Sequence, residues 1–339
     1  MRFLITGGAG FIGSHLTESL IGEGHSVAVV DDLSTGSLDN LTALVDHPRL
    51  RFVEDTILNR ELIRDQVAIC DRVVHLAAAV GVHTILERPL ASLNINVEGT
   101  ENVLSACAQF RRPVLLASTS ETYGKNNADS LCEDADSILG PSSIERWSYA
   151  TAKKLDEFMG LAYYASHNLP VTITRFFNIA GPRQSARYAM VLPAFVRDAL
   201  PNRPIRVFGD GTQSRNFTYI DDCIDAVMRL LRNSNVAGKI LNIGSDEEVS
   251  MYRLAERVKE ATGSSSPIVR VPYAEAYPEG GFEDMQRRVP CICRIEALTG
   301  WRPTTNLDGI ITKTILFERA RQDVVASLPP AALSMSLQG

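Results

Sequence analysis

A tyrosine and a lysine stand four residues apart in the stretch Tyr149-Ala150-Thr151-Ala152-Lys153. In a helix, positions i and i+4 lie on the same face, so we expect the Lys153 ammonium beside the Tyr149 phenol. A neighbouring positive charge lowers the pKa of a phenol, and Tyr149 would then accept a proton near neutral pH. The pair therefore predicts a general base for the oxidation of a hydroxyl group.

A strand end rich in hydroxyl groups supplies further candidates for the same site. The stretch Ser118-Thr119-Ser120-Glu121 follows the apolar run at 113–117. We predict that Thr119 holds the substrate hydroxyl and count Ser120 beside it among the catalytic residues. Glu121 adds a carboxylate, which loses hydration in such a site and therefore needs a task there.

The start of the chain has the features of a phosphate-binding turn. Glycines at positions 7, 10 and 13 follow a short apolar run and lead into a helical pattern. Gly7 permits a tight turn, Gly10 lets the backbone approach a pyrophosphate, and Gly13 lets the helix and the strand pack closely. The N-terminus of the helix offers free N–H groups and the positive end of the helix dipole. The spacing predicts a dinucleotide site.

A second apolar strand, residues 26–30, ends in Asp31-Asp32. A carboxylate at this place is expected to bind the ribose of the adenosine. It also repels a 2′-phosphate, which favours NAD over NADP.

Strands and helices continue to alternate along the chain. Further strands are expected near 53–58, 71–79, 113–118, 171–176 and 240–243. This alternation predicts an α/β fold, a Rossmann-type doubly wound parallel sheet with helices on both faces. After Gly181-Pro182 many prolines interrupt short elements, which indicates a smaller C-terminal substrate-binding lobe. We divide the chain into an NAD-binding domain (1–180 plus about 217–244), a lobe (about 181–216 plus 245–320) and a flexible tail (327–339).

The composition is that of an ordinary globular protein. Hydrophobic residues make up 45% and charged residues 22%, and the formal net charge is −6. This charge gives no electrostatic footprint for nucleic acid. The six cysteines have neither a disulfide-framework nor a metal-site spacing, and we expect reduced packing thiols and no metal. No signal peptide or membrane-spanning run is found, so we expect a cytoplasmic protein without a membrane partner.

The motifs resemble those of the extended short-chain dehydrogenase/reductases, the NAD-dependent sugar-nucleotide epimerases and dehydratases. The resemblance covers roughly residues 1–318 and includes the glycine turn and the Tyr149–Lys153 pair. It also includes the stretches 75–78, 96–100, 175–178, 181–183 and 209–217. It implies bound NAD, a nucleotide-sugar substrate and transient oxidation of the sugar at C4.

The motifs and the resemblance together assign ligand contacts. The expected cofactor contacts are Gly7, Gly10, Phe11, Ile12, Gly13, Asp31, Asp32, Asp55, Leu76, Ala77, Ala78, Asn96, Tyr149 and Lys153. The expected substrate contacts are Asn178, Arg183, Val191, Phe208 and Arg215. The resemblance implies that Asn178 and Arg215 grip the nucleotide diphosphate, a task that suits the forked donors of arginine.

Glu121 and Arg288 favour one branch of this family. The stretches 119–121, 140–149 and 287–290 resemble UDP-glucuronate decarboxylases, in which Arg288 matches an active-site arginine. Oxidation at C4 makes a β-keto acid, which loses CO₂. Arg288 and Glu121 are expected to orient the carboxylate and to manage the proton returned to C5. We expect conversion of UDP-glucuronate to a UDP-pentose, with UDP-glucose or UDP-uronate 4-epimerisation and NDP-hexose 4,6-dehydration as alternatives.

Other classes of protein fit less well. A non-catalytic binding protein of this fold would be expected to have lost Tyr149 or Lys153, and both are present. A reductase of non-sugar substrates has no use for the diphosphate contacts. The resemblance further implies a homodimer through a four-helix interface of residues 96–110 and 147–166. The expected apolar contacts are Ala150, Ala152, Phe158 and Leu161.

Overall fold

The computed structural model describes residues 1–81, 87–184, 190–276 and 283–327. Its strands β1 to β13 are Arg2–Thr6, Ser26–Asp31, Leu50–Glu54, Arg72–His75, Val114–Thr119, Val171–Phe176, Ile179–Ala180, Ile205–Phe208, Ser214–Asn216, Thr218–Tyr219, Lys239–Ile243, Glu248–Ser250 and Ile268–Val271. Its helices α1 to α10 are Phe11–Gly22, Arg60–Ala68, Pro89–Phe110, Arg146–His167, Val191–Ala199, Ile220–Arg232, Met251–Thr262, Tyr273–Ala276, Cys293–Thr299 and Leu307–Ser327. Apart from its first residue, the expected tail at 327–339 lies outside the described residues.

Seven strands form one parallel sheet in the order β11-β6-β5-β4-β1-β2-β3. This is the doubly wound Rossmann arrangement that the alternation of elements predicts. The late strand expected at 240–243 is confirmed as β11, paired with β6. The third strand differs from the expectation because it ends at Glu54, where Asp55 turns the chain by accepting a hydrogen bond from the Thr56 N–H at 2.7 Å.

The two faces of the sheet carry separate apolar cores. Along β1, Phe3 and Ile5 pack into the cluster covered by α1 and α6, while Leu4 points into the cluster covered by α2, α3 and α4. Successive strand side chains point to opposite faces, so one strand serves both cores. Helices on both faces explain why central strands such as β6 are buried at every position.

The parallel register brings the carboxyl ends of the strands to one edge. Thr6 lies opposite His75 across β1 and β4. Thr119 lies opposite Phe176, which in turn lies opposite Ile243. The residues that follow these strands therefore meet at this edge, where doubly wound sheets bind ligands.

Residues beyond β6 also form three two-stranded sheets, β7 with β10, β8 with β13 and β9 with β12. The division of the chain into an NAD-binding domain and a lobe at the predicted boundaries stays a prediction. None of the helices in the described ranges is long and apolar enough to cross a bilayer.

Two expectations about buried side chains need correction. Ala150 and Ala152 are completely or almost completely buried within the chain, so they are not available as apolar interface contacts. Cys132 and Cys293 are exposed, so a packing role is wrong for these two thiols. Phe158, by contrast, leaves 62% of its surface exposed on α4.

The conformation of Gly7 gives a first prediction. Its φ is +75°, and an added Cβ would lie 2.7 Å from the backbone nitrogen of Ala77. We expect Gly7→Ala to lower the free energy of unfolding by more than about 1 kcal/mol, because an L-residue is strained at this φ and the contact is with backbone. Chemical denaturation followed by circular dichroism measures the change.

The matched control is Gly22→Ala at the end of α1, where an added Cβ meets nothing within 4 Å. This change should leave stability unchanged or raise it, since alanine favours a helix over glycine by roughly 0.5–1 kcal/mol. Equal effects of the two substitutions would contradict the assignment of a strained turn at Gly7.

Candidate active site

The glycine turn between β1 and α1 is compact and held by its own backbone. The Gly7 N–H donates to the Val30 carbonyl at 2.8 Å. A Cβ on Gly13 would lie 2.2 Å from the Gly7 carbonyl oxygen, so only glycine allows α1 to approach the turn. Gly10 caps α1, and Phe11 and Ile12 form its first turn. The turn thus brings the N-terminus of the helix, where free N–H groups favour a phosphate, to the edge of the sheet.

The acidic residue at the end of β2 is tied to this turn. The Asp31 carboxylate accepts hydrogen bonds from the Ala9 N–H and the Leu33 N–H, each at 2.9 Å. Burial raises the pKa of Asp31, although these two backbone donors oppose the shift. Asp32 is more exposed and accepts from Ser34 instead. Asp31 is therefore the better placed of the two beside the turn, as a ribose contact requires.

The segment after β4 closes the other side of the turn. Leu76 donates its N–H to Thr6 at 3.0 Å, and Ala77 contacts the Gly7 position. Asn96 from α3 binds the backbone of Ala79 with both ends of its amide. Its side chain therefore holds the 76–79 segment in place, which is a different task from the direct cofactor contact that the sequence suggested.

Tyr149 and Thr119 meet as expected. The Thr119 hydroxyl lies close to the Tyr149 phenol and lowers its pKa, which favours the ionised phenol. Thr119, Glu121 and Tyr149 are all partly exposed, so a ligand can reach them. Ser120 is buried beside them. The strand end and the helix α4 thus present a hydroxyl, a phenol and a carboxylate to one space.

The partner of Lys153 differs from the expectation. Its ammonium lies 2.9 Å from the carboxylate of Asp156 on the same helix, and both side chains are buried. Burial raises the pKa of Tyr149 above its ordinary range, and the charges of Glu121 and Asp156 raise it further. In the chain alone the pKa of Tyr149 is therefore raised, whereas the expected lowering relies on Lys153 and the positive charge of oxidised nicotinamide together; Asp156 balances the charge of Lys153.

Glu121 forms an ion cluster with two arginines, called here the Glu121 cluster. One carboxylate oxygen lies 2.5 Å from Arg288 and the other 2.5 Å from Arg146. Burial alone would raise the pKa of Glu121, but the two guanidinium groups outweigh it and lower the pKa to about 2. Glu121 is thus ionised throughout the neutral range and is a weak proton acceptor.

A second group of residues extends the Glu121 cluster. Arg288 also donates to the Asn178 side chain at 3.2 Å. Arg215 pairs with Asp284 at 2.5 Å, and its pKa is lowered by burial and by the nearby charge of Arg288. Asn178, Arg215 and Arg288 therefore lie in one region, and Asn178 and Arg215 are the two of them expected to grip the diphosphate.

The other expected ligand contacts lie on different segments of the chain. Arg183 donates to Glu18 at 2.6 Å and to Ser14 at 3.3 Å, both on α1. It therefore faces the glycine turn, and its place beside the substrate diphosphate is not supported by these contacts. Val191 starts α5, and Phe208 ends β8 with 36% of its surface exposed. Asp55 is engaged with Thr56 and Asn59 of its own loop.

The sequence reading missed three charged members of the site. Arg146 precedes Tyr149 by three positions, so helix periodicity places it on the same face of α4. Asp156 follows Lys153 by three positions, and the same rule could have found it. Asp284 had no such signal, because its partner Arg215 is 69 residues away.

The residues around the glycine turn fit NAD. Gly7 and Gly13 let α1 begin close to the end of β1, because a Cβ at either position would strike backbone, and the N-terminus of α1 therefore borders the space at the sheet edge. Asp31 lies beside that space with its carboxylate fixed by backbone donors. A dinucleotide needs these three features together.

Comparison with known proteins agrees with this geometry. A decarboxylase of UDP-N-acetyl-alpha-D-glucosaminuronate from Bacillus cytotoxicus is 40% identical over 94% of this chain and 98% of its own length. UDP-glucuronic acid decarboxylase 1 of Xenopus tropicalis is 33% identical over 94% of this chain and 72% of its own length.

A solved structure is similar over nearly the whole chain. The UDP-glucuronic acid 4-epimerase of Bacillus cereus, in complex with UDP-glucuronic acid and NAD, is 27% identical with a TM-score of 0.84 and covers 95% of this chain and 100% of its own. The family model described as "NAD dependent epimerase/dehydratase family" matches residues 3–244. The chain, with its glycine turn and its Tyr149–Lys153 pair, therefore belongs to the NAD-dependent epimerase/dehydratase family.

Proposed function

We propose that this protein is an NAD-dependent decarboxylase of a UDP-linked uronic acid. The observation that carries the proposal is the Glu121 cluster, in which two guanidinium groups lie beside the Thr119–Tyr149 pair. A reaction on a neutral hexose gives two buried arginines at this place no anionic group of the sugar to bind. A sugar that carries a carboxylate at C6 does give them one.

Tyr149 and Thr119 are the groups that act at C4. Thr119 binds the C4 hydroxyl. Tyr149, once its own phenol proton has left, accepts the proton of the C4 hydroxyl. Bound NAD supplies reversible acceptance of a hydride from C4. The resulting ketone lies β to the C6 carboxylate, so the bond between C5 and C6 can break with release of CO₂. The enolate left at C5 takes a proton from water. Tyr149 returns a proton to the C4 oxygen as the hydride goes back to C4 from bound NADH, which gives the UDP-pentose.

Arg288 has donor capacity left for such a carboxylate. Its NH1 and NH2 groups bind Glu121 and Asn178, while its buried Nε–H has no hydrogen-bond partner among the described residues. A buried N–H without an acceptor costs about 1–3 kcal/mol, so an acidic ligand would relieve this cost. We infer that Arg288 orients the C6 carboxylate.

The pKa of Glu121 helps to choose between reactions. A 4,6-dehydratase needs a base that removes the C5 proton, and a carboxylate with a pKa of about 2 is poorly suited to this task. The sequence led us to expect that Glu121 helps to return a proton to C5. Its low pKa makes Glu121 poorly suited to that task as well. Its task in this proposal is to hold Arg146 and Arg288 together at one place.

Two substrates fit the proposal. The expected substrate is UDP-glucuronate, the substrate in the name of the Xenopus relative. The Bacillus cytotoxicus relative is more similar and is named for the acetamido analogue. The two sugars differ at C2 and share the C6 acid that the Glu121 cluster would bind, so both are included in the test. A UDP-uronate 4-epimerase is the second candidate, because the Bacillus cereus epimerase has the same fold.

We further propose that the protein is a cytoplasmic homodimer with α3 and α4 at the interface. These helices pack against each other, with the Tyr163 hydroxyl bound to Glu101 at 2.7 Å. Leu155 and Phe158 are 43% and 62% exposed on α4. Apolar side chains one turn apart on a helix form a surface that a second copy could cover.

The reaction itself gives the first test. Purified protein is incubated with NAD and each UDP-uronate, and the nucleotide is followed by mass spectrometry. We expect loss of the carboxyl group as CO₂ and a UDP-pentose product. An isomer of unchanged mass would make the protein a 4-epimerase, and loss of water from a neutral hexose substrate would make it a dehydratase.

Glu121→Gln separates the two halves of the reaction. Without the carboxylate, Arg146 and Arg288 repel each other and lose their common position, so we expect CO₂ release to fall by about 100-fold or more. Oxidation at C4, read from nicotinamide absorbance, should persist. Glu248→Gln, which removes a surface partner of Arg287, is the control. Release of CO₂ by Glu121→Gln at the parent rate would exclude the role given to Glu121.

The same variant gives a pH-dependent stability difference. The ordinary pKa of Glu121 is 4.5 and its folded value is about 2, so its contribution to stability is complete above pH 4.5 and disappears as the pH falls toward 2. We expect Glu121→Gln to lose about 3 kcal/mol near pH 7, because two buried guanidinium groups lose the negative charge between them. Thermal unfolding between neutral and acidic pH should show the difference shrinking, and a pH-independent difference would contradict it.

The interface has its own test. We expect Phe158→Asp to yield a monomer in analytical ultracentrifugation, because a charge on the covered face must lose its hydration. Leu316→Asp is the control, since Leu316 is also 60% exposed but lies on α10. An unchanged dimer mass in Phe158→Asp would place the interface elsewhere.

A further inference from the structure

Lys153 needs a counter-ion if its ammonium is to stay charged. Only 3% of its side chain is exposed. Burial without a partner lowers the pKa of a lysine by several units, which would remove the charge that a catalytic lysine supplies. The Asp156 carboxylate, completely buried, lies 2.9 Å from the ammonium. The contact is an ion pair without a well-formed hydrogen bond, because neither Asp156 oxygen has a hydrogen bond of good geometry with a described residue.

The neighbouring carboxylate is already committed to other groups. Glu157 accepts two hydrogen bonds from Arg175, both at 2.7 Å, and one from Ser118 at 2.6 Å. It also pairs with Lys154 at 3.3 Å. Its charge is therefore balanced independently of Lys153.

A buried chain of hydrogen bonds leads toward Asp156 from the glycine turn. The Thr6 hydroxyl contacts His75 Nδ1 at 2.7 Å, and His75 Nε2 contacts the Thr100 hydroxyl at 3.1 Å. Thr100 also lowers the pKa of Asp156, against the larger effect of burial, although no hydrogen bond of good geometry joins the two side chains. All four side chains are buried.

The directions of these bonds are mutually consistent. Burial and the charge of Lys153 lower the pKa of His75 to about 3, so its ring is neutral and carries one N–H. Thr6 accepts from the Ala77 N–H at 3.4 Å, which leaves its own proton for His75 Nδ1. His75 then donates from Nε2 to the Thr100 hydroxyl. The donors of this chain thus run in one direction, from Thr6 to Thr100.

We propose that Asp156 is a positioning residue for Lys153, a counter-ion that keeps its ammonium charged and directed along the face of α4 that also carries Tyr149. The proposal rests on the proposed role of Tyr149 as the base. Asp156 does not touch the reacting atoms. It acts through Lys153, and Lys153 and Thr100 lower its pKa against the effect of burial.

The charge of Asp156 also sets how easily the catalytic pair loses a proton. Tyr149 is faced by Glu121 and Asp156, which raise its pKa, and by Arg146, which lowers it. Asp156 is faced by Lys153, Thr100 and Glu157. Neutralising Asp156 makes the first proton loss from the Tyr149–Lys153 pair easier, whichever of the two groups releases it.

The test is Asp156→Asn in the NAD-loaded protein. We expect the acid limb of the pH–rate profile for C4 oxidation to move about 1–3 pH units lower, which is the range of pKa shift caused by one neighbouring charge. Asp225→Asn makes the same change in an exposed pair with Arg229 and should leave the limb in place. A lower plateau with an unmoved limb would overturn the proposal, because a merely structural role lowers activity without changing the charge at the site.

A second readout does not depend on the substrate. Ionisation of Tyr149 can be followed by the ultraviolet absorbance of tyrosinate, as the difference between a protein that has Tyr149 and its Tyr149→Phe variant. The midpoint of this titration should move to lower pH when both proteins also carry Asp156→Asn. If no UDP-uronate is converted, this titration still decides the role of Asp156. If turnover is normal and the titration is unmoved, the proposed function stands and the role of Asp156 is excluded.

A thermodynamic cycle covers the case in which Asp156→Asn is inactive. The loss of Tm on Asp156→Asn is measured in the parent protein and in Lys153→Met. We expect a smaller loss in Lys153→Met, because no ammonium is left without a counter-ion. Additive effects of the two substitutions would contradict a direct pair.

Discussion

A carboxylate and two guanidinium groups meet at the edge of the sheet, and none of them can be buried there alone. Glu121 follows β5, Arg146 starts α4, and Arg288 comes 167 residues after Glu121. An unpaired buried charge costs several kcal/mol, so the three segments must reach the edge together. The Glu121 cluster thus ties the last part of the chain to the end of a central strand and defines the space above it.

Helix α4 is the element that turns this cluster into a reactive site. Its first turns carry Arg146 and Tyr149 toward the substrate space, while Lys153, Asp156 and Glu157 lie buried behind them. The Glu157–Arg175 pair fixes α4 against β6, and the Arg175 guanidinium stacks 4.5 Å from the centre of the Tyr123 ring. These buried ion pairs fix helix α4 and therefore the position of the Tyr149 phenol. Proton transfer requires such precise positioning.

Local signals were enough to predict the scaffold. Alternating elements gave the parallel sheet, and the glycine spacing gave the turn whose Gly7 has a positive φ. The helix period also placed Lys153 beside Tyr149, but the same period places Asp156 beside Lys153. An ion attracts an opposite charge more strongly than a neutral phenol, so Asp156 is the partner in the chain alone. Whether Tyr149 or Asp156 is the partner of Lys153 depends on how deeply each side chain is buried, and the sequence does not show this.

Long-range pairs were harder to foresee. The pairing of Arg183 with Glu18 joins segments 165 residues apart and diverts an arginine expected at the substrate. Arg288 was found only through a family resemblance, because nothing in residues 287–290 indicates a distant carboxylate. Ala150 and Ala152 looked like interface residues since a core face and an interface face have the same composition. In each case the missing information was the partner, which only the folded chain supplies.

The opposite pKa shifts of Tyr149 and Glu121 bear on the reaction class. Tyr149 holds its proton more tightly than an ordinary phenol, while Glu121 gives its proton up at about pH 2. Environments that push two pKa values apart usually separate the proton-carrying group from the purely electrostatic one. Dehydration would need Glu121 to carry a proton, whereas decarboxylation breaks a carbon–carbon bond and needs only that the departing carboxylate be held in place. A permanently ionised Glu121 that organises two arginines suits the second reaction, and it leaves Tyr149 as the group through which protons move.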